Sequence, residues 1–170
     1  MLVGESVNGR MKKNKTHHMA IHIIKYIQDF HEHCIEIFKS NSPKFFDPEE
    51  LQLFEYYLVN DVEKHYYVVF DDQELLACGG IFSDLKSDQA GLAWGMVHSK
   101  HHGKGIGKYF AEYRLNLLKK IYPEKTYCIE TSQHTARFYE KLGFTTEHII
   151  TDGFGRGIDK YSLKLENLMQ

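Results

Sequence analysis

The chain has 170 residues, 42% hydrophobic and 14% aromatic, which is enough apolar material for one core in one domain. Its 21 basic and 23 acidic side chains leave a formal net charge of -2, so no global positive field gathers nucleic acid and no such partner is expected. No apolar run approaches the roughly 20 residues that cross a bilayer, and no short apolar leader opens the sequence; a cytoplasmic protein without a membrane partner is expected.

Residues 1–19 are polar, glycine-containing and without period, and read as a flexible tail; residues 20–170 form the domain. Met11 and Met19 leave open an alternative start, and the short basic run Lys12, Lys13 and Lys15 reads as solvated. A strand is expected at 21–24, followed by a helix carrying Ile27, Phe30, Cys34, Ile35 and Phe38 at helical spacing, with Pro43 closing the region. Asp47-Pro48-Glu49-Glu50 has the chemistry of a helix start, an N-cap followed by proline and carboxylates on the positive end of the dipole, and predicts a helix to about residue 59.

Strands follow at 66–70 and 74–82, punctuated by Asp71-Asp72-Gln73, and a third at 90–97 completes a meander. Phe110, Tyr113, Arg114, Leu117, Leu118 and Ile121 share one face of a long helix that Pro123 ends. Then come a strand at 127–130, a helix at 133–142 stopped by Gly143, and two closing strands at 144–150 and 158–165. The order predicts an α/β fold with a mixed sheet in one domain. Cys34, Cys78 and Cys128 are odd in number and scattered, so buried thiols are expected.

The most informative stretch is Val97-His98-Ser99-Lys100-His101-His102-Gly103-Lys104-Gly105-Ile106-Gly107-Lys108, a strand end, a turn with alternate glycines and a helix start. Glycine lets the backbone approach a ligand closely, and the first helical N–H groups carry unpartnered positive dipole. An anionic phosphate fits there. A magnesium-holding phosphate loop needs Ser or Thr after Gly107-Lys108, where Tyr109 stands, and the spacing is G-x-G-x-G rather than the dinucleotide G-x-G-x-x-G. The competing reading is a glycine turn that only joins a strand to a helix.

A second stretch, Glu130-Thr131-Ser132-Gln133-His134-Thr135-Ala136-Arg137-Phe138-Tyr139-Glu140-Lys141-Leu142-Gly143-Phe144, places a short helix between two strands. Together the two resemble the GNAT superfamily of acyl-CoA N-acyltransferases, whose pyrophosphate motif is R/Q-x-x-G-x-G/A and whose later helix reads N-x-x-A-x-x-F/L-Y-E-K-L-G-F. His102 stands where that pattern has Arg or Gln, and Gln133 where it has Asn. The resemblance runs from about residue 21 to 165 and implies a single GNAT-like domain, its mostly antiparallel central sheet splayed at the cofactor strand and flanked by helices.

By that resemblance the backbone of Met96, Val97 and His98 pairs with the pantetheine arm of acetyl-CoA. His102, Gly103, Lys104, Gly105, Ile106, Gly107 and Lys108 receive the pyrophosphate, Gln133 contributes an amide, and Tyr139 protonates the departing thiolate. The acceptor is the primary amine of a small molecule or peptide. Direct attack also needs a base, yet the stretch Gly91-Leu92-Ala93-Trp94-Gly95-Met96 carries no carboxylate. Glu130 is the first substitute and His134 or His98 the next; the plainer readings are a helix-capping Glu130, a surface His134 and a core Tyr139.

The histidines at 98, 101 and 102, and those at 31 and 33, lack the spacing and co-ligands of a metal site, so no metal is expected. Residues 152–157, with Tyr56, Tyr57 and Trp94, are placed beside the acceptor by fold analogy. The missing strand carboxylate keeps an alternative open, a catalytically inactive acyl-CoA-binding module. A homodimer is compatible with the sequence.

Overall fold

The computed structural model describes residues 7–11, 19–62, 65–72 and 74–166. Among them eight strands form one sheet: β1 Val7–Met11, β2 Met19–Lys25, β3 Tyr66–Phe70, β4 Leu75–Ser83, β5 Gln89–Val97, β6 Thr126–Ser132, β7 Thr145–Gly155 and β8 Ile158–Leu165. Their spatial order is β1-β2-β3-β4-β5-β6-β8-β7. Every pairing is antiparallel except that of β5 with β6. The helices are α1 His31–Asn41, α2 Glu50–Tyr56 running on into a wide turn Tyr57–Asp61, α3 Ile106–Ile121 and α4 Ala136–Glu140.

Each helix buries the stripe that its spacing sets. On one face of the sheet Cys34, Ile37 and Phe38 of α1 and Phe54 of α2 pack with Tyr66, Cys78 and Met96. On the other, α3 lays Phe110, Leu115 and Leu118 on residues of β2 to β6 and β8. Full burial of such a side chain is worth about 1.5–3 kcal/mol; covering on both faces is why the middle of β4 reads as a continuous apolar run. Cys34 and Cys78 are the buried thiols expected, and the Cys78 thiol beside it, together with burial, pushes the Cys34 thiol far up; Cys128 is only half-buried.

The α2 start follows its sequence chemistry. Asp47 accepts the Glu49 N–H at 2.8 Å while the Glu50 carboxylate accepts the Asp47 N–H at 2.9 Å, a reciprocal capping box. Burial raises the Glu50 carboxyl above its ordinary range.

Two expectations need correction. Residues 7–11, assigned to the tail, form β1, with Val7 opposite Ile23 and Met11 opposite Met19. A ladder along the edge of β2 supplies backbone partners that composition does not reveal. Residues 1–6 and 12–18, including Lys12, Lys13 and Lys15, lie outside the described residues. The helix expected from Ile27 begins at His31, after a 3₁₀ turn at Gln28–Phe30.

Candidate acyl-CoA site

β5 and β6 pair at three positions only, Gln89 with Thr126, Ala90 with Tyr127 and Gly91 with Cys128, and then part. Gly91 permits the close start, because a Cβ there would fall on the Cys128 carbonyl oxygen. Farther along, Ala93 pairs with Gly80 and Met96 with Cys78, so two residues of β5, Trp94 and Gly95, face Gly79 alone. This is a β-bulge. Trp94 sits at φ 43, a left-handed conformation held by its ring packing at 5.1 Å from Phe54 and 6.2 Å from Tyr57 and by its carbonyl accepting the Tyr66 hydroxyl at 3.0 Å.

The three backbone positions expected to meet pantetheine are not equivalent. The His98 N–H donates to the Leu76 carbonyl at 2.8 Å, so by the alternation of an antiparallel ladder Met96 and His98 turn their backbones to β4 and Val97 turns its own into the splay. The Val97 carbonyl already holds the Asn41 side-chain amide and a ring nitrogen of His102, each at 2.9 Å. The His98 side chain lies elsewhere, lining a cavity of about 330 Å³ with His33, Glu36 and Glu74, and burial and the Lys100 charge lower its pKa.

The turn beyond β5 ends in left-handed glycines, Gly103 at φ 73 and Gly105 at φ 83. Gly105 is the N-cap of α3 and offers no side-chain cap, and the first turn of α3 holds no acidic residue. Its orphan N–H groups and positive dipole end therefore lack an internal anion. A Cβ at Gly103 would touch nothing within 4 Å, so the turn is open to an arriving group, and one at Gly107 would meet Val97 at 3.6 Å and Phe138 at 4.0 Å. The first turn of α3 thus sits where β5 and α4 flank the splay. Lys104 folds back to His101 at 3.1 Å, and Lys108 lies 3.8 Å from Glu112. These residues fit a pyrophosphate held by backbone donors.

Tyr139, on α4, is 6% exposed and packs edge-on against Phe138 and Phe144 at 4.9 and 5.9 Å. Glu130 is exposed on β6 and pairs with Lys160 at 3.0 Å. Gln133 is engaged at both ends of its amide: the nitrogen donates to the Gly157 carbonyl and the oxygen accepts the Asp159 N–H, each at 2.9 Å. It clasps the β7–β8 hairpin.

A family model, the acetyltransferase (GNAT) domain, matches residues 63–146, which span β3 to the start of β7 with the bulge, the glycine turn and α4. The chain belongs to the GNAT-fold acetyltransferase superfamily. Solved structures share the fold. The ribosomal-protein-S18-alanine N-acetyltransferase of Escherichia coli superposes at TM-score 0.71 with 18% identity, over 88% of this chain and 96% of its own. A single-site variant of Vibrio cholerae spermidine N-acetyltransferase superposes at 0.66 with 15% identity, over 86% and 94%. No curated protein matches the chain in sequence.

This GNAT domain has neighbours at the splay that sequence reading missed. Phe45, in the α1–α2 loop, sets its ring between His102 at 5.3 Å and His134 at 5.8 Å, bridging the two sides of the opening. Asn41, buried at the end of α1, ties that helix to Val97. Neither carries a local signal, since both depend on a loop packing across elements far apart in sequence. Of the acceptor-side expectations, Tyr57 and Trp94 join one aromatic cluster, whereas Tyr56 is 60% exposed. The 152–157 hairpin does reach α2, since a Cβ on Gly155 would overlap the Asp47 carboxylate. Among the described residues no group of three metal-ligating side chains converges.

Proposed function

We propose that this GNAT domain transfers an acetyl group from acetyl-CoA to the primary amine of a small molecule or peptide by direct attack. The observation that carries the reading is the opening of β5 from β6 onto the uncapped start of α3 behind Gly103 and Gly105. In it the N–H groups of residues 105–108 hold the pyrophosphate and the Val97 backbone meets the pantetheine arm. Acetyl-CoA supplies the activated thioester. Tyr139 gives its proton to the sulfur, and Glu130, or His134 at the mouth, takes one from the amine. Two fold neighbours are named for acetylation of an amine, an alanine of a ribosomal protein in one and spermidine in the other, which supports an amine acceptor.

A second reading, a module that binds acyl-CoA without turnover, draws on the absence of a carboxylate from β5 and on the pairing of Glu130 with Lys160. An amine library read by free-thiol release separates the two. Amine-dependent release above hydrolysis is expected, and CoA binding with no release on any amine would favour the module. We place the protein in the cytoplasm, with no nucleic-acid or membrane partner; light scattering distinguishes a monomer from a homodimer.

A further inference from the structure

Arg114, on α3, is 3% exposed, a depth at which a charged side chain ordinarily has a charged partner. Among the described residues no carboxylate pairs with it: its guanidinium lies 4.6 Å over the Phe110 ring, reaches the Gly80 carbonyl at 3.5 Å, and leaves Nε without a partner. Its seat is built by glycines. A Cβ on Gly79 would stand 2.8 Å from the guanidinium, and one on Gly95 would overlap it. Burying an unpaired charge opposes folding, and a leucine or methionine would fill the same space without that cost. Stability alone therefore does not explain an arginine here.

The seat lies behind the bulge. Gly95 is one of the two β5 residues that face Gly79, two positions before Val97, whose backbone faces the splay. An acyl donor with its pyrophosphate on the α3 turn and its arm along Val97 brings its thioester toward this bulge. Resting on the function proposed above, we infer that Arg114 is a positioning residue of the acyl centre, whose charge acts through the Gly95 backbone on negative charge developing at the thioester. In the transfer the amine nitrogen bonds to the carbonyl carbon and the C–S bond breaks with its electron pair passing to sulfur. The thiolate then takes a proton from Tyr139, and the surplus amine proton leaves to the base. A fixed cation in a site poor in water favours the sulfur's charge without reorganising.

The test uses CoA as the probe, so it needs no knowledge of the acceptor. Wild type, Arg114→Met and Arg114→Lys are compared by calorimetry, by thermal unfolding, and by ultraviolet titration of the thiol of bound CoA. Glu130, Lys160, His102, His134, Tyr139, Lys104 and Lys108 are common to all three proteins and cancel in the comparison. The bound thiol should ionise at lower pH on wild type than in free CoA. Arg114→Met should move that ionisation up by about one pH unit at unchanged CoA affinity and equal or higher melting temperature, and Arg114→Lys should restore part of the shift. With an acceptor in hand, kcat should fall about tenfold or more in Arg114→Met at constant KM for acetyl-CoA. A thiol that titrates alike on wild type and a folded Arg114→Met overturns the inference and leaves the acyl-CoA reading standing. If Arg114→Met does not fold, a wild-type bound thiol ionising at or above the pH of free CoA overturns it. Failure of wild type to bind CoA removes both.

Discussion

Tyr139 is surrounded by Phe138, Phe144 and the apolar layer under α3, so its ring is core whatever its hydroxyl does. Tyr139→Phe preserves that ring and removes only the oxygen. If the hydroxyl protonates the thiolate, kcat should fall by about 10²-fold to 10⁴-fold while acetyl-CoA affinity and melting temperature hold. A variant that melts lower but turns over normally would make Tyr139 a packing residue. Glu130→Gln should likewise lower kcat with little change in acetyl-CoA affinity, because an amide cannot take the amine's proton; an unaltered pH–rate profile would move that role to His134 or solvent. Glu130 was visible in the sequence as a carboxylate near the splay. Its partner was not: Lys160 reaches it only through the β6–β8 register, which pairs Ser132 with Lys160 and Glu130 with Ser162.

Among the elements, the glycine turn and α3 were the most legible, because the need for left-handed backbone at Gly103 and Gly105 and the lack of a cap before Ile106 are both written locally. Gly105→Glu should abolish CoA binding by calorimetry while circular dichroism stays native, since it puts a carboxylate where the dipole would hold phosphate. Retained affinity in a folded variant would leave the turn a mere connection. The capping box at Asp47 was legible for the same reason. Asp47→Ala should cost about 1 kcal/mol in denaturant unfolding, and an unchanged midpoint would show that the Glu50 half of the box suffices. What stayed hidden was contact between elements. Gln133 read as a ligand amide but spends its donor and acceptor on the β7–β8 hairpin, and Phe45 gave no sign that it would stand between two histidines.

For the whole molecule, alternating strands and helices led to the right class of sheet, and the motif resemblance to its splay. The strand at Val7–Met11 escaped because its partner, the edge of β2, supplies what its own sequence lacks. Global stability should carry a histidine signature: burial lowers the pKa of both His98 and His101 from the ordinary 6.5. The unfolded chain then binds protons first, so stability should be full above about pH 6.5 and fall as pH drops through the lowered folded values. Urea unfolding between pH 7 and 5 should show that decline, and His101→Gln should flatten it; equal slopes in the two proteins would place the proton uptake elsewhere. The acyl-CoA reading itself is met most directly by titrating CoA calorimetrically into wild type and the folded Gly105→Glu protein side by side. Saturable binding of one CoA per chain in wild type, lost in the variant, is the expected result. No heat in wild type, or equal affinity in both, would contradict the placement of the cofactor on the turn between β5 and α3.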